Sequence, residues 1–200
     1  MAAAAAVSLW SLGAARAAVI ENNAGQFDAS IHAFDPLGQT FTAIDSSLIS
    51  IGFAYSDLNP GSPNDPITLN LYAGDGTGGA LLASRTFTLP AVLPSATAPP
   101  VIIDTDFSGV SLTVGSIYTA ALSTDSFKVA AVYGPDAYAG GHGVNTPAAC
   151  GDCDLNFRVV GQSATVGGVP EPASWALMLV GFGGLGAALR ARRRGRTVAA

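Results

Sequence analysis

From residue 39 to residue 160 the chain repeats one pattern. Short runs in which apolar and polar residues alternate are broken by clusters of Gly, Pro, Asn and Asp. Period-two alternation is the mark of a half-buried strand, and the breaker clusters mark turns. The pattern predicts strands at Gln39–Ala43, Leu48–Tyr55, Ile67–Tyr72, Leu81–Leu89, Val101–Phe107, Ile117–Ser123, Lys128–Tyr133 and Leu155–Val160. In Thr68-Leu69-Asn70-Leu71-Tyr72 and Thr86-Phe87-Thr88-Leu89 the alternation is strict, so one face of each is buried and the other wet. Asp75-Gly76 and Gly78-Gly79 offer the positive-φ residues of a tight turn. The Pro/Ala-rich stretch from Leu89-Pro90 to Pro99-Pro100 cannot sit in a central strand. No stretch of this region keeps a helical period over ten residues. The expectation is an all-β domain over residues 18–161, a β-sandwich of about eight strands.

Both ends of the chain break this pattern. The apolar stretch Ala2–Ala15 is shorter than the ~20 residues that span a bilayer. It is followed by Ala15-Arg16-Ala17, a small-x-small cleavage pattern. Residues 1–17 therefore read as a secretory signal peptide, with Ala18 as the mature start, although no Lys or Arg precedes the apolar segment. After a linker at residues 162–169 come three pieces in order: Pro170-Glu171-Pro172, the uncharged run Ala173–Leu189, and Arg190, Arg192, Arg193, Arg194 and Arg196. The prolines stiffen an extended element that a helix can include only in its first turn. The run 173–189 covers ~26 Å as a helix, close to the ~30 Å hydrocarbon core. The arginines stay cytoplasmic by the positive-inside rule, Trp175 sits at the opposite interface, and Gly181, Gly183, Gly184 and Gly186 give the helix a small-residue surface.

Residues Pro170-Glu171-Pro172, Trp175-Ala176-Leu177-Met178-Leu179, Gly181-Phe182-Gly183 and the arginine run together resemble the PEP-CTERM sorting signal of exported proteins in Gram-negative bacteria. The resemblance covers the last ~30 residues (170–196 as a sorting tail). It implies recognition by exosortase, a multi-pass, transpeptidase-like cysteine enzyme of the membrane, and a cut near Pro170-Glu171-Pro172. The sorting residues it singles out are Pro170, Glu171, Pro172, Trp175, Gly181, Arg190, Arg192, Arg193 and Arg194. They make the chain a substrate and give it no catalysis. The implied route is export, a transient inner-membrane-anchored intermediate, and a final place at the cell surface or outside the cell. A weaker resemblance links Gln39–Ala43, Leu48–Phe53, Ile67–Tyr72, Val110–Tyr118 and Asp154–Arg158 to jelly-roll, galactose-binding-like domains. It implies that fold and, by analogy alone, a carbohydrate ligand.

Charge sharpens the division. Charged residues are only 12% of the chain, against ~25% in an average soluble protein. Between Ala18 and Gly168 there are 13 acids against three bases, Arg85, Lys128 and Arg158, while the tail from Val169 has five arginines and one acid. An acidic domain excludes nucleic acid as a partner, because phosphate binding needs a cationic surface.

Candidate chemistry is sparse. Cys150-Gly151-Asp152-Cys153 is the only cysteine pair, and in an exported protein a disulfide is expected. The alternatives are reduced thiols, a metal site lacking two ligands, or a redox pair lacking the helix such pairs open. Asp152 and Asp154 are weak Ca²⁺ candidates, as is the loop bearing Asp57, Asn59, Asn64 and Asp65. None has the spacing of a calcium loop, and Asx residues cap turns unaided. No other cofactor is expected. Tyr133 and Tyr138 are considered for sugar stacking, and Tyr138, on Tyr138-Ala-Gly-Gly-His142, either lies exposed or plugs a core edge. No nucleophile is paired with a base, and His32 and His142 stand apart. The expected function is a non-enzymatic surface or matrix protein sorted by exosortase. The alternatives are a carbohydrate-binding module that retains exopolysaccharide and a glycan-active hydrolase.

Overall fold

A computed structural model describes residues 17–58, 65–90, 93, 101–146, 153–162, 178, 181, 182 and 190. The described sandwich lies within one compact unit, Ala15–Ala164. Its strands are β1 (Ala18–Asn22), β2 (Phe27–Ser30), β3 (Leu37–Thr42), β4 (Leu48–Asp57), β5 (Ile67–Ala73), β6 (Leu81–Phe87), β7 (Ile102–Asp106), β8 (Ile117–Ser123), β9 (Val129–Gly134), β10 (Gly143–Val144), β11 (Asp154–Leu155) and β12 (Phe157–Gly161).

They form two antiparallel sheets. One has seven strands, ordered β1-β12-β4-β9-β11, with β2 on β9 and β7 on β4; the other has five, ordered β10-β3-β8-β5-β6. The all-β, two-sheet expectation agrees with this architecture. The count of about eight strands is too low, since twelve are present among the described residues. β1 has three apolar residues in a row instead of an alternation, and β2 and β10 are only four and two residues long. The run expected as one strand, Leu155–Val160, is broken at Asn156 into β11 and β12.

β5 shows how the pattern builds the core. Ile67, Leu69 and Leu71 are fully buried, while Thr68, Asn70 and Tyr72 between them are half-buried on the other face. Ile51, Phe53 and Tyr55 on β4, Phe41 on β3, Phe107 and Phe157 meet them in a single cluster. Burial of each such side chain stabilises by roughly 1.5–3 kcal/mol. The rings make tilted and edge contacts, Phe53 to Phe157 at 6.5 Å and Tyr55 to Phe87 at 6.2 Å between centroids. The β5–β6 turn bends at Gly74 (φ +88°) and Gly76 (φ +79°), conformations that L side chains rarely adopt.

Candidate functional site

The first strand of the sandwich and its last are partners. β1 pairs with β12 along its whole length, from Ala18 opposite Gly161 to Asn22 opposite Phe157. Gln162, beyond β12, donates its backbone N–H to the Ser47 carbonyl at 2.8 Å. The two segments that lead out of the domain therefore leave from the same strand pair.

The seven-stranded sheet forks beside this pair. β11 runs along β9, and β12 runs along β4. Asn156 stands at the join, giving its N–H to Val132 and taking the N–H of Ala54 on its carbonyl. Its side chain is fully buried. The amide oxygen accepts from the Gly25 N–H at 2.6 Å, and the amide nitrogen donates to the Gly25 carbonyl and to Asn23 Oδ1, both at 3.1 Å. Asn156 thus ties down the turn between β1 and β2, where no strand ladder can do so. Gly25 has no room for a side chain there, because a Cβ would run into the Tyr133 backbone.

Two residues earlier, Asp154 is also fully buried. One oxygen accepts from Gln39 Nε2 at 2.7 Å; the other takes the backbone N–H groups of Ala137 and Tyr138 at 2.8 and 2.7 Å. Gln39 returns a bond, accepting the Leu155 N–H at 2.8 Å. Gln39 belongs to β3 and Leu155 to β11, so the pair bolts one sheet to the other. Both oxygens of the Ca²⁺ candidate Asp154 are committed to protein donors. Its companion candidate Asp152 lies outside the described residues, as do Asn59 and Asn64. Among the described residues, no group of three or more His, Cys, Asp or Glu is placed to hold a metal ion.

On the outer face of this sheet one row crosses four strands: Glu21, Arg158, Gly52 and Asp104 are consecutive register partners. Glycine at position 52 opens the way. Arg158 reaches across it to Asp104, donating from Nε to Oδ1 at 3.2 Å and also from Nη2 to Oδ2, and its Nη1 lies 3.6 Å from Glu21. A Cβ on Gly52 would strike the Asp104 carboxylate and come within 2.7 Å of Ile102 Cγ2. The hydrogen bond to Asp104 raises the pKa of the guanidinium further. Nearby, the Ser108 hydroxyl and N–H hold Asp106 below its usual carboxylate range. Ser56 on β4 donates to Asp28 on β2.

The outer face of the five-stranded sheet is different. Its rows are Thr86–Thr68–Ser123 and Ser84–Asn70–Ala121, with Tyr72 beside Thr119; on β8, Ala121 and Thr119 are buried and Ser123 is half-buried. No charged side chain stands among them. Thr68 and Thr86 share a hydroxyl contact of 3.1 Å. Asn70, Tyr72 and Ser84 make no side-chain hydrogen bond within the described protein, and Ser84 and Thr86 are exposed. Sequence reading placed these residues on a strand without marking them as a site. The signal it passed over is the lack of any charge in Thr68–Tyr72.

Tyr138 is a core plug. Its ring meets Phe157 edge-on at 5.2 Å, its hydroxyl accepts the Thr42 N–H at 3.3 Å, and desolvation raises its pKa. Tyr133 packs against the core and Phe27, with ring centroids 5.8 Å apart. His142 Nε2 lies 3.0 Å from Asp75 in an exposed pair, and His32 faces Phe127 with ring centroids 3.8 Å apart. Cys153 is buried, and Cys150 lies outside the described residues.

Of the sorting residues, Pro170, Glu171, Pro172, Trp175, Arg192, Arg193 and Arg194 lie outside the described residues, as do residues 1–16 of the signal segment. Met178, Gly181, Phe182 and Arg190 are helical and exposed. The expected membrane-spanning helix 173–189 falls mostly outside the described residues, and among those described no helix is long and apolar enough to cross a membrane.

Neither a curated protein nor a solved structure matches the chain. A family model does match its end: residues 168–194 fit the PEP-CTERM protein-sorting motif, a span holding Pro170-Glu171-Pro172, the apolar run and Arg190–Arg194. The chain thus carries the sorting signal of an exported protein handled by exosortase.

Proposed function

We propose that this chain is a non-enzymatic protein of the cell envelope or extracellular matrix, delivered there as an exosortase substrate. The observation that carries the reading is the sorting motif at residues 168–194. The proposed sequence is export, signal removal after Ala17, arrest in the inner membrane by the helix 173–189, and a cut near Pro170-Glu171-Pro172. The apolar run and the arginine fence supply the arrest physically, since the helix is long enough to lodge and the arginines resist translocation. The strand pair β1–β12 supports this order. Ala18 is the first residue of β1, so signal removal after Ala17 would leave the strand intact. We assign the sandwich a jelly-roll-like topology and join Cys150 to Cys153 in a disulfide at the entrance to β11.

The test replaces Pro170, Glu171 and Pro172 with alanine in the producing cell. The variant is expected to accumulate with the inner membrane while the parent reaches the surface or medium. Equal delivery of both would refute the sorting role.

A second reading, a module that retains exopolysaccharide, is favoured by one observation. Along β5, β6 and β8 the outer face of the five-stranded sheet carries hydroxyl, amide and phenol groups, and the register rows hold no charged side chain.

A further inference from the structure

We propose that the outer face of β5, β6 and β8 binds an uncharged polysaccharide, through Thr68, Asn70, Tyr72, Ser84, Thr86 and Ser123. The inference rests on the carbohydrate reading above and adds to it the surface and the class of glycan.

Three observations converge. First, the strand registers set these side chains in rows, Thr86 and Ser123 flanking Thr68, and Ser84 flanking Asn70. Side chains on one face repeat at about 7 Å along a strand and about 5 Å between strands. That is a grid of donors and acceptors on the scale at which a hexose chain displays its hydroxyls. Second, the fold leaves three of these groups unspent. Asn70, Tyr72 and Ser84 have no side-chain hydrogen-bond partner within the described protein, in contrast to Asn156, Asp154 and Gln39, whose groups are consumed inside it. An amide offers two donors and an acceptor, and a hydroxyl offers both, which suits a ligand made of hydroxyl groups. Tyr72 adds an aromatic ring on the same face, a surface for the C–H side of a sugar.

Third, charge selects the class. No cation stands in the rows, and the domain carries 13 acids against three bases. Arg85, on β6, turns to the opposite face, where it lies 5.3 Å from the Phe107 ring centroid and donates to the Asp106 carbonyl at 3.0 Å. Arg158 is engaged by Asp104 and Glu21 on the other sheet. An acidic polysaccharide would meet net repulsion and no compensating base, so a neutral one fits.

The test is affinity electrophoresis of the full chain in a sugar-free zwitterionic detergent. The native gels contain dextran, galactomannan or a soluble β-glucan in one series, and alginate or hyaluronan in the other. Retardation is expected from at least one neutral polysaccharide and from neither acidic one. Tyr72→Ala and Asn70→Ala should each weaken it about tenfold, the loss of one good contact. Thr86→Glu, at an exposed position, should abolish it without disturbing the fold. Phe27→Ala, on the other sheet, should leave it unchanged. No retardation by any neutral polysaccharide would overturn the inference, as would equal retardation by alginate. Binding lost in Phe27→Ala and kept in Tyr72→Ala would also overturn it, while sparing the broader carbohydrate reading. A stable dimer that Thr86→Glu dissociates, with no glycan retained, would assign the face to a second copy of the chain instead. Sorting is read separately and survives each of these failures.

Discussion

The two sheets solve their polar accounting in opposite ways. The seven-stranded sheet is irregular. It forks at Asn156, takes β2 and β7 as side branches, and carries an arginine across a glycine gap. Each irregularity strands backbone or charged groups, and side chains answer them: buried Asn156 for the β1–β2 turn, buried Asp154 for the 137–138 loop, and exposed Asp104 for Arg158. The five-stranded sheet is more regular, with one register shift between Leu71 and Tyr72 where β5 meets β6. Its β5 pairs with β8 in unbroken register, so Asn70 and Tyr72 have no structural debt and stay available, while Thr68 shares its hydroxyl with Thr86. The lesson is that polar residues of one type, asparagine for example, are architecture in one sheet and surface chemistry in the other.

That contrast can be broken most sharply at the fork. Asn156→Ala leaves the Gly25 N–H and carbonyl buried without partners, and each orphan costs about 1–3 kcal/mol. A loss of about 3–5 kcal/mol in chemical denaturation is expected, with a similar loss for Asp154→Ala. Asn70→Ala, the same change on the regular sheet, should cost less than about 0.5 kcal/mol. Equal losses at the two asparagines would erase the distinction.

Gly52→Ala comes next. Its Cβ must displace the Asp104 carboxylate and Ile102, an overpacking worth about 1–3 kcal/mol, readable as a lower melting temperature.

Tyr55 sharpens the comparison from the other side, as a group the seven-stranded sheet leaves unanswered. Its hydroxyl is buried with no hydrogen-bond partner, and burial raises its pKa strongly from 10.0. In the unfolded chain the phenol loses its proton near pH 10, whereas the folded state keeps it. The neutral burial therefore supports the fold fully below pH 10. The support then falls by up to about 1.4 kcal/mol per pH unit as pH rises further. Tyr55→Phe should be neutral to stabilising by about 1 kcal/mol at pH 7 and should flatten the decline between pH 10 and 11 in a denaturation series. An unchanged slope would contradict the assignment.

The smallest effect belongs to the ion row. Arg158, Asp104 and Glu21 side chains are 30, 35 and 43% exposed, so solvent screens them. Arg158→Met should cost no more than about 1 kcal/mol, and 1 M salt should shrink that difference.

Legibility in the sequence followed the same division. β8 lies where alternation puts it, at Ile117–Ser123, and β5 differs only by the added Ala73. The fork could not be read, because Leu155–Val160 is apolar on both sides of Asn156. The break comes from Val132 and Ala54, far away in the chain. Asp154 has the look of a loop oxygen until Gln39, 115 residues earlier, is brought to it. Tyr138 stood between two fates, and Phe157 and Thr42 decide for the core. The ionic row was hidden because a glycine in a strand usually signals a bulge, whereas Gly52 makes room for an arginine. The sorting tail was the most legible part. Its message lies in the order of residue types along the chain, and no folding is needed to assemble it.

The central claim, that the tail is a tether meant to be severed, is tested most directly by mass spectrometry of the C-terminal peptide from the protein at its final location. The account predicts an end near Pro170-Glu171-Pro172, with no peptide from Arg190–Ala200. Recovery of Arg190–Ala200 still attached to the exported protein would contradict it.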